Sequence, residues 1–169
     1  MRIKDLALEN VRIEFRNFAG VKGKFNNEGN RNFCVLLDDR IELARQLEKE
    51  GWNVKWLDPK EDGDEPCPYI QVKVSFDIMP PLIYMITGRG KTRLDVNDVG
   101  NLDWAEIENK DGERNRVDLV ISPYEWNMNG RSGIKAYAKN LYVKIAEDPF
   151  AAKYYNIPDS ANTIADDDD

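Results

Sequence analysis

Basic residues are interleaved with aromatic ones in four separate segments of this chain. In GIKAYAKNLYVKI, Lys135, Tyr137 and Lys139 fall on one face of an extended segment, opposite Ala136 and Ala138. In IYMITGRGKTR, Tyr84 precedes Arg89, Lys91 and Arg93. In NVKW, Lys55 sits beside Trp56. The Gly- and Asn-rich stretch FAGVKGKFNNEGNRN supplies Lys22, Lys24 and Arg31, and Arg131 follows the turn in WNMNGRSG. Single-stranded nucleic acid needs this mixture, because cations follow the phosphates while flat rings stack on bases. Stacking contributes roughly 1–3 kcal/mol per base, whatever the base. For any one residue a plainer reading suffices: Lys alternating with Tyr also marks a solvated sheet face. The case for binding rests on the repetition.

Other chemistries are harder to build. The 169 residues include no histidine, which removes the Ser-His-Asp and Cys-His pairs and any imidazole general base. No GxxxxGK[ST] phosphate loop occurs. Asp38, Asp39, Asp77, Asp95, Asp103, Glu106 and Glu108 are scattered without the convergent spacing of a metal nuclease. Cys34, inside FCVLL, reads as a buried thiol. Without histidine, Cys34 and Cys67 cannot form a zinc tetrad unless carboxylates join them. No metal, cofactor or catalytic group is expected.

The net charge of −7 conceals an asymmetry. Residues 156–169 carry five aspartates and no base, ending in Asp166, Asp167, Asp168 and Asp169. The stretch DPKEDGDEP adds a second acidic block. The remainder is close to neutral and mildly basic. A run of like charge with no large apolar residue after Ile164 cannot fold against anything, so the tail reads as disordered. Beside a cationic groove it could also stand in for phosphate.

These residues must be positioned by an apolar share of 41% beside a charged share of 33%, which fits a globular domain. No apolar run approaches the ~20 residues of a membrane span, and MRIKDLALEN lacks the continuous apolar core of a signal peptide. A cytosolic protein is expected. Leu6 and Leu8, then Val11, Ile13 and Phe15, alternate with a slip that predicts a bulge in a long first strand. Residues 18–32 read as a mobile hairpin loop. Phe33, Val35 and Leu37 line one face of a second strand. Asp39 is placed to cap a helix that ends at Gly51. A short strand follows at NVKW. YIQVKVSF and IYMIT predict further strands, with GRGK as a turn after them. A short helix or turn fits residues 95–109. VDLVISPYEW and GIKAYAKNLYVKI predict two strands joined at Asn129-Gly130. Residues 147–155 suggest a short terminal helix. Core packing is the default for the four tryptophans, with Trp56 and Trp126 the better candidates for surface platforms. Short strands with long polar loops and one helix suggest a mainly β (α+β) domain over residues 1–155, built as a five-stranded OB-fold-like barrel. Residues 156–169 form the tail.

RNFCVLLDD, a helix, GWNVKW, an acidic loop, PYIQVKV, PPLIYMITGRGKTRLD, VDLVISPYEWNMNGRSGIKAYAKNLYV and an acidic C-terminus follow one another in an order that resembles phage-encoded single-stranded-DNA-binding proteins of OB-fold type. The resemblance spans about residues 1–155 in pattern, plus the tail. It implies a barrel that coats single strands during replication and recombination in the bacterial host cytoplasm. It also implies an acidic tail that contacts replication or recombination proteins. In many such proteins that tail ends in an aromatic residue, whereas this chain ends in Asp169. Masking of the groove needs only the charge. A homodimer is compatible with the pattern. Two non-enzymatic alternatives stay open: an acidic DNA-mimic or inhibitor protein, and a virion assembly protein.

Overall fold

Leu8, Val11 and Ile13 reach inward from the first strand of the computed structural model, which describes residues 3–59, 63–108, 113–146 and 150–154. This strand, β1 (Leu6–Asn17), pairs antiparallel with β2 (Arg31–Leu36) on one side and β7 (Arg116–Met128) on the other. The expected bulge is present. Leu8 faces Leu119 while Val11 faces Val117, so β1 holds one extra residue, and Asn10 takes a left-handed φ of 53° there. A second bulge lies between Glu14 and Asn17, where Phe15 has φ 54° and projects into solvent.

β2 also pairs with β4 (Cys67–Val74), and β7 pairs with β8 (Arg131–Lys144). The barrel closes where β4 meets β8 in parallel, Val72 opposite Ala136 and Lys73 opposite Tyr137. Five strands, β1, β2, β4, β7 and β8, therefore form a closed ring with four antiparallel junctions and one parallel one. This is the Greek-key barrel of the OB fold, as the sequence suggested. Its interior holds Val11, Ile13, Phe33, Val35, Ile70, Val72, Leu119, Ile121 and Leu141, all nearly or fully buried.

Two insertions decorate the ring. Between β2 and β4 stand α1 (Ile41–Glu50) and β3 (Val54–Leu57), an edge strand on β4. Ala44 and Leu47 seat the helix on the core, and Gly51 ends it at φ 103°. Asp39 does not cap it. Arg40 occupies the cap position without a side-chain bond, and the Asp39 carboxylate instead accepts a 2.9 Å hydrogen bond from Arg116. Between β4 and β7 a hairpin of β5 (Leu82–Thr87) and β6 (Gly90–Leu94) extends the sheet from β8, with β5 parallel to it. β6 was not expected, since only a turn was read there. A 3-10 turn (Val99–Asp103) follows. Asn129 and Gly130, at φ 54° and 78°, make the tight β7–β8 turn. A short helix, α2 (Ala151–Tyr154), falls within the expected terminal segment. The tail and its boundary at residue 156 lie outside the described residues. Cys34 is buried, as expected, and burial pushes its thiol upward despite nearby Lys55.

Candidate nucleic-acid interface

The 18–30 loop is anchored at its root and open at its tip. Phe18 is fully buried and stacks on Phe33 with ring centroids 5.1 Å apart. The Asp103 carboxylate accepts hydrogen bonds from the backbone N–H groups of Phe18 and Ala19, at 2.7 and 3.1 Å. Arg31 donates to the Phe18 carbonyl at 2.7 Å. Gly20 has φ 69°, and an added Cβ would lie 3.1 Å from the Gly29 backbone, so the two limbs of the loop meet there without a side chain. The Asn26 amide donates to the carbonyls of Val21, Asn27 and Asn30, and its oxygen accepts from Asn32. This loop, expected to be mobile, is thus tied by its own asparagines. Phe25 stands at its tip, 93% exposed, with the Lys24 ammonium 5.5 Å from its ring centroid.

Between this loop and the end of β4 runs an open groove of about 460 Å³. Its walls include Phe25, Asn26 and Asn30 from the loop, Arg31 and Asn32 from β2, Gln71 and Lys73 from β4, Phe76 and Ile78 beyond β4, and Tyr137 from β8. The Arg31 guanidinium lies 6.0 Å from the Phe76 centroid. Cations, rings and amide side chains thus face one another across a single channel.

The thirteen expected residues separate into four places. Arg31 and Tyr137 come together at the groove, with Lys24 beside Phe25 and Lys22 exposed on the same loop. Tyr84, Lys91 and Arg93 lie on the outer face of the β5–β6 hairpin, with Arg89 at its tip. Arg131 and Lys135 are exposed on the β7–β8 ribbon, and Lys139 forms a 2.6 Å ion pair with Asp5. Lys55 and Trp56 are on β3, apart from the groove walls. Trp56 packs against the core and donates its indole N–H to Glu48 at 3.0 Å, lining a separate depression with Ile41, Arg45 and Pro66.

Two expectations need correction. Tyr137 does not stand out beside Lys135 and Lys139. It is only 5% exposed and meets the edge of Tyr124 at 6.0 Å, so it is groove floor rather than a free platform. Trp104 is not core but 88% exposed. Phe76 packs against the core and lies half-buried beneath Arg31. Phe25, Asn32, Gln71, Lys73 and Phe76 were missed as groove residues. An aromatic residue inside a Gly/Asn loop was the available signal for Phe25.

Among the described residues no group of three or more Cys, Asp or Glu side chains is gathered to hold a metal ion. No helix among them is long and apolar enough to cross a membrane.

The family model described as "Putative phage ssDNA-binding domain" matches residues 1–169. The chain belongs to this family. A search of curated protein sequences found no match. Among solved structures, the domain is similar to the single-stranded DNA-binding protein from bacteriophage Enc34 in complex with ssDNA: 15% identity, 86% of this chain and 89% of that one covered, TM-score 0.48. A second Enc34 structure, without that description of a complex, gives 15% identity over 95% and 89% with a TM-score of 0.47. The single-stranded DNA binding protein gp2.5 of bacteriophage T7 shares 10% identity over 92% and 95%, with a TM-score of 0.34.

Proposed function

We propose that this domain binds single-stranded DNA without sequence preference and protects it during replication or recombination in a phage-infected cell. It acts as a coat and not as an enzyme. The observation that carries this is the groove itself. Rings from Phe25, Phe76 and Tyr137 and cations from Arg31 and Lys73 line one channel. Its position, between the β1–β2 loop and the outer faces of β2 and β4, is where OB folds take oligonucleotides. Stacking on a ring face is available only from unpaired bases, so a duplex offers charge without that gain. Family membership supports the same reading. The groove residues are Phe25, Arg31, Lys73, Phe76 and Tyr137, with Lys22 and Lys24 on the loop that forms one wall.

Asp166 to Asp169 serve as a stand-in for phosphate, occupying the groove when DNA is absent and becoming available to replication or recombination proteins when it binds. The other acidic block is placed differently. Among its described acidic residues, Glu65 lines the depression beside Trp56 and not the groove. An inhibitor that mimics DNA would gain nothing from a channel of cations and rings.

None of the four tryptophans lines the groove, so a labelled strand is the better reporter. The test is fluorescence anisotropy of a ~30-nucleotide oligo-dT and of a matched duplex, at two salt concentrations, with full-length protein and with residues 160–169 removed. Saturable binding of the single strand, weakened by salt and stronger than that of the duplex, is expected. No binding to the single strand by either form would overturn the proposal.

A further inference from the structure

The β5–β6 hairpin lies outside the closed ring, yet it carries a second set of cations and rings. Tyr84 and Tyr142 are register partners on β5 and β8. Their rings stack 5.5 Å apart at 14°. The Lys91 ammonium lies 4.7 Å from the Tyr84 centroid. Arg93 is the register partner of Tyr84 on β6, and Lys144 and Lys91 both face Ile86. Lys91, Arg93 and Lys144 are exposed, and both tyrosines are half-exposed. The inward residues of the same strands, Ile83, Leu94, Leu141 and Val143, are buried, so this set shares the outer face.

That face is continuous with the groove along β8. Before the slip at Lys139, the outward residues of β8 are Lys135 and Tyr137; after it they are Asn140, Tyr142 and Lys144. β4 and β5 flank the same edge of β8 in succession, β4 at Tyr137 and β5 from Asn140 onward. Tyr137, the groove floor, and Tyr142 are five positions apart on one strand, roughly 17 Å at the rise of a β-strand. A strand at the long end of the ~4–16 nucleotides that one OB fold can occupy covers this separation beyond the groove.

We infer that the outer face of the β5–β6 hairpin is a second subsite for single-stranded DNA, in which Tyr84 and Tyr142 receive a base and Lys91, Arg93 and Lys144 follow the phosphates, so that a strand leaving the groove continues along β8. The inference rests on the groove reading above. A rival use of the same cations is to blunt β6 as a sheet edge against other chains. That role needs the charges, but neither the stacked pair nor its alignment with the groove.

Strand length separates the two roles. Oligo-dT of about 4 nucleotides fills the groove, and oligo-dT of about 16 reaches both sites. In full-length protein, the Tyr84→Ala/Tyr142→Ala double variant is expected to bind the long strand about 10-fold more weakly and the short strand unchanged. Because both rings are half-buried, a second variant guards against misfolding. Lys91→Ala/Arg93→Ala removes only exposed ends. It is expected to lower the salt slope for the long strand by about 0.7 per cation and to leave that for the short strand intact. If the cation variant changes both lengths equally, or neither, the second subsite is overturned while the groove reading stands. Failure of the unaltered protein to bind either strand would overturn both.

Discussion

Replacing Phe25 by alanine separates binding from folding more cleanly than any other change. The ring is 93% exposed, so its removal forfeits almost none of the apolar burial that stabilises the fold. Its one ring contact among the described residues is Lys24, 5.5 Å from the centroid, an exposed cation–π pair of about 0.5–1 kcal/mol at most. The loop root is held by Phe18, Asp103 and Arg31 through bonds and a ring stack that do not involve this ring. Unfolding stability should therefore change by less than about 0.5 kcal/mol, as for other exposed sites. Binding should lose one stack, about 1–3 kcal/mol, or from roughly 5-fold to more than 100-fold in Kd. No charge is removed, so the dependence of log K on log salt should keep its slope. Arg31→Ala supplies the opposite signature. It should lower that slope by about 0.7. It should also destabilise the fold by about 1.5–3 kcal/mol, because Arg31 holds the Phe18 carbonyl at 2.7 Å. The assay is anisotropy with labelled oligo-dT across a salt series, paired with urea unfolding of the same samples. Unchanged affinity in Phe25→Ala with native stability would refute the idea that this loop presents a stacking ring.

Three further outcomes are expected. In Gly133→Ala the new Cβ would lie 2.8 Å from the indole of Trp126, its cross-strand partner, so the variant should lose about 1–3 kcal/mol in urea unfolding; adding Trp126→Ala should recover part of that loss in a double-mutant cycle. Burial would raise the Asp39 carboxyl, but the hydrogen bond and charge of Arg116, aided by Arg40, hold it below its ordinary value; its contribution is therefore complete above the unfolded pKa of about 3.9 and is lost as pH falls through the lower folded value. Since Asp39 is 42% exposed, that contribution is at most about 1 kcal/mol, and the stability gap between the protein and Asp39→Asn should close on acidification; a gap independent of pH would contradict the pairing. Deleting residues 160–169 should tighten binding to oligo-dT, most at low salt where the tail charges are least screened, and equal affinities at low salt would exclude masking.

Local patterns carried much of this architecture into the sequence. Alternation marked the buried faces of β1, β2 and β4, the offset between Leu8 and Val11 marked the bulge, and Gly51 and Asn129-Gly130 marked the stops. Each of these depends on residues a few positions apart. What stayed hidden depends on distant ones. β6 was invisible because Gly90 to Arg93 are all exposed, so an edge strand on an outer hairpin shows almost no alternation. Asp39 had every local reason to cap α1, but Arg116, far along the chain, claims its carboxylate. The cations of the candidate site could be seen singly, yet their grouping could not. Arg31 and Tyr137 share a wall because β4 closes on β8, and Tyr137 is buried where Lys73 of β4 and Tyr124 of β7 come to lie beside it. Trp56 looked like a platform beside Lys55 until the helix supplied Glu48 for its N–H.

The parallel junction of β4 with β8 also sets an order of events during synthesis. Val72 and Lys73 must wait for Ala136 and Tyr137 before the ring can shut. Domains emerge N-terminus first at about 5–20 residues per second, so Phe25 and Arg31 leave the ribosome several seconds before the tyrosine that completes their groove. Over that interval the nascent chain carries one wall of the groove without the other. Placing a wall of the groove on the last strand of the barrel makes the channel a property of the completed barrel.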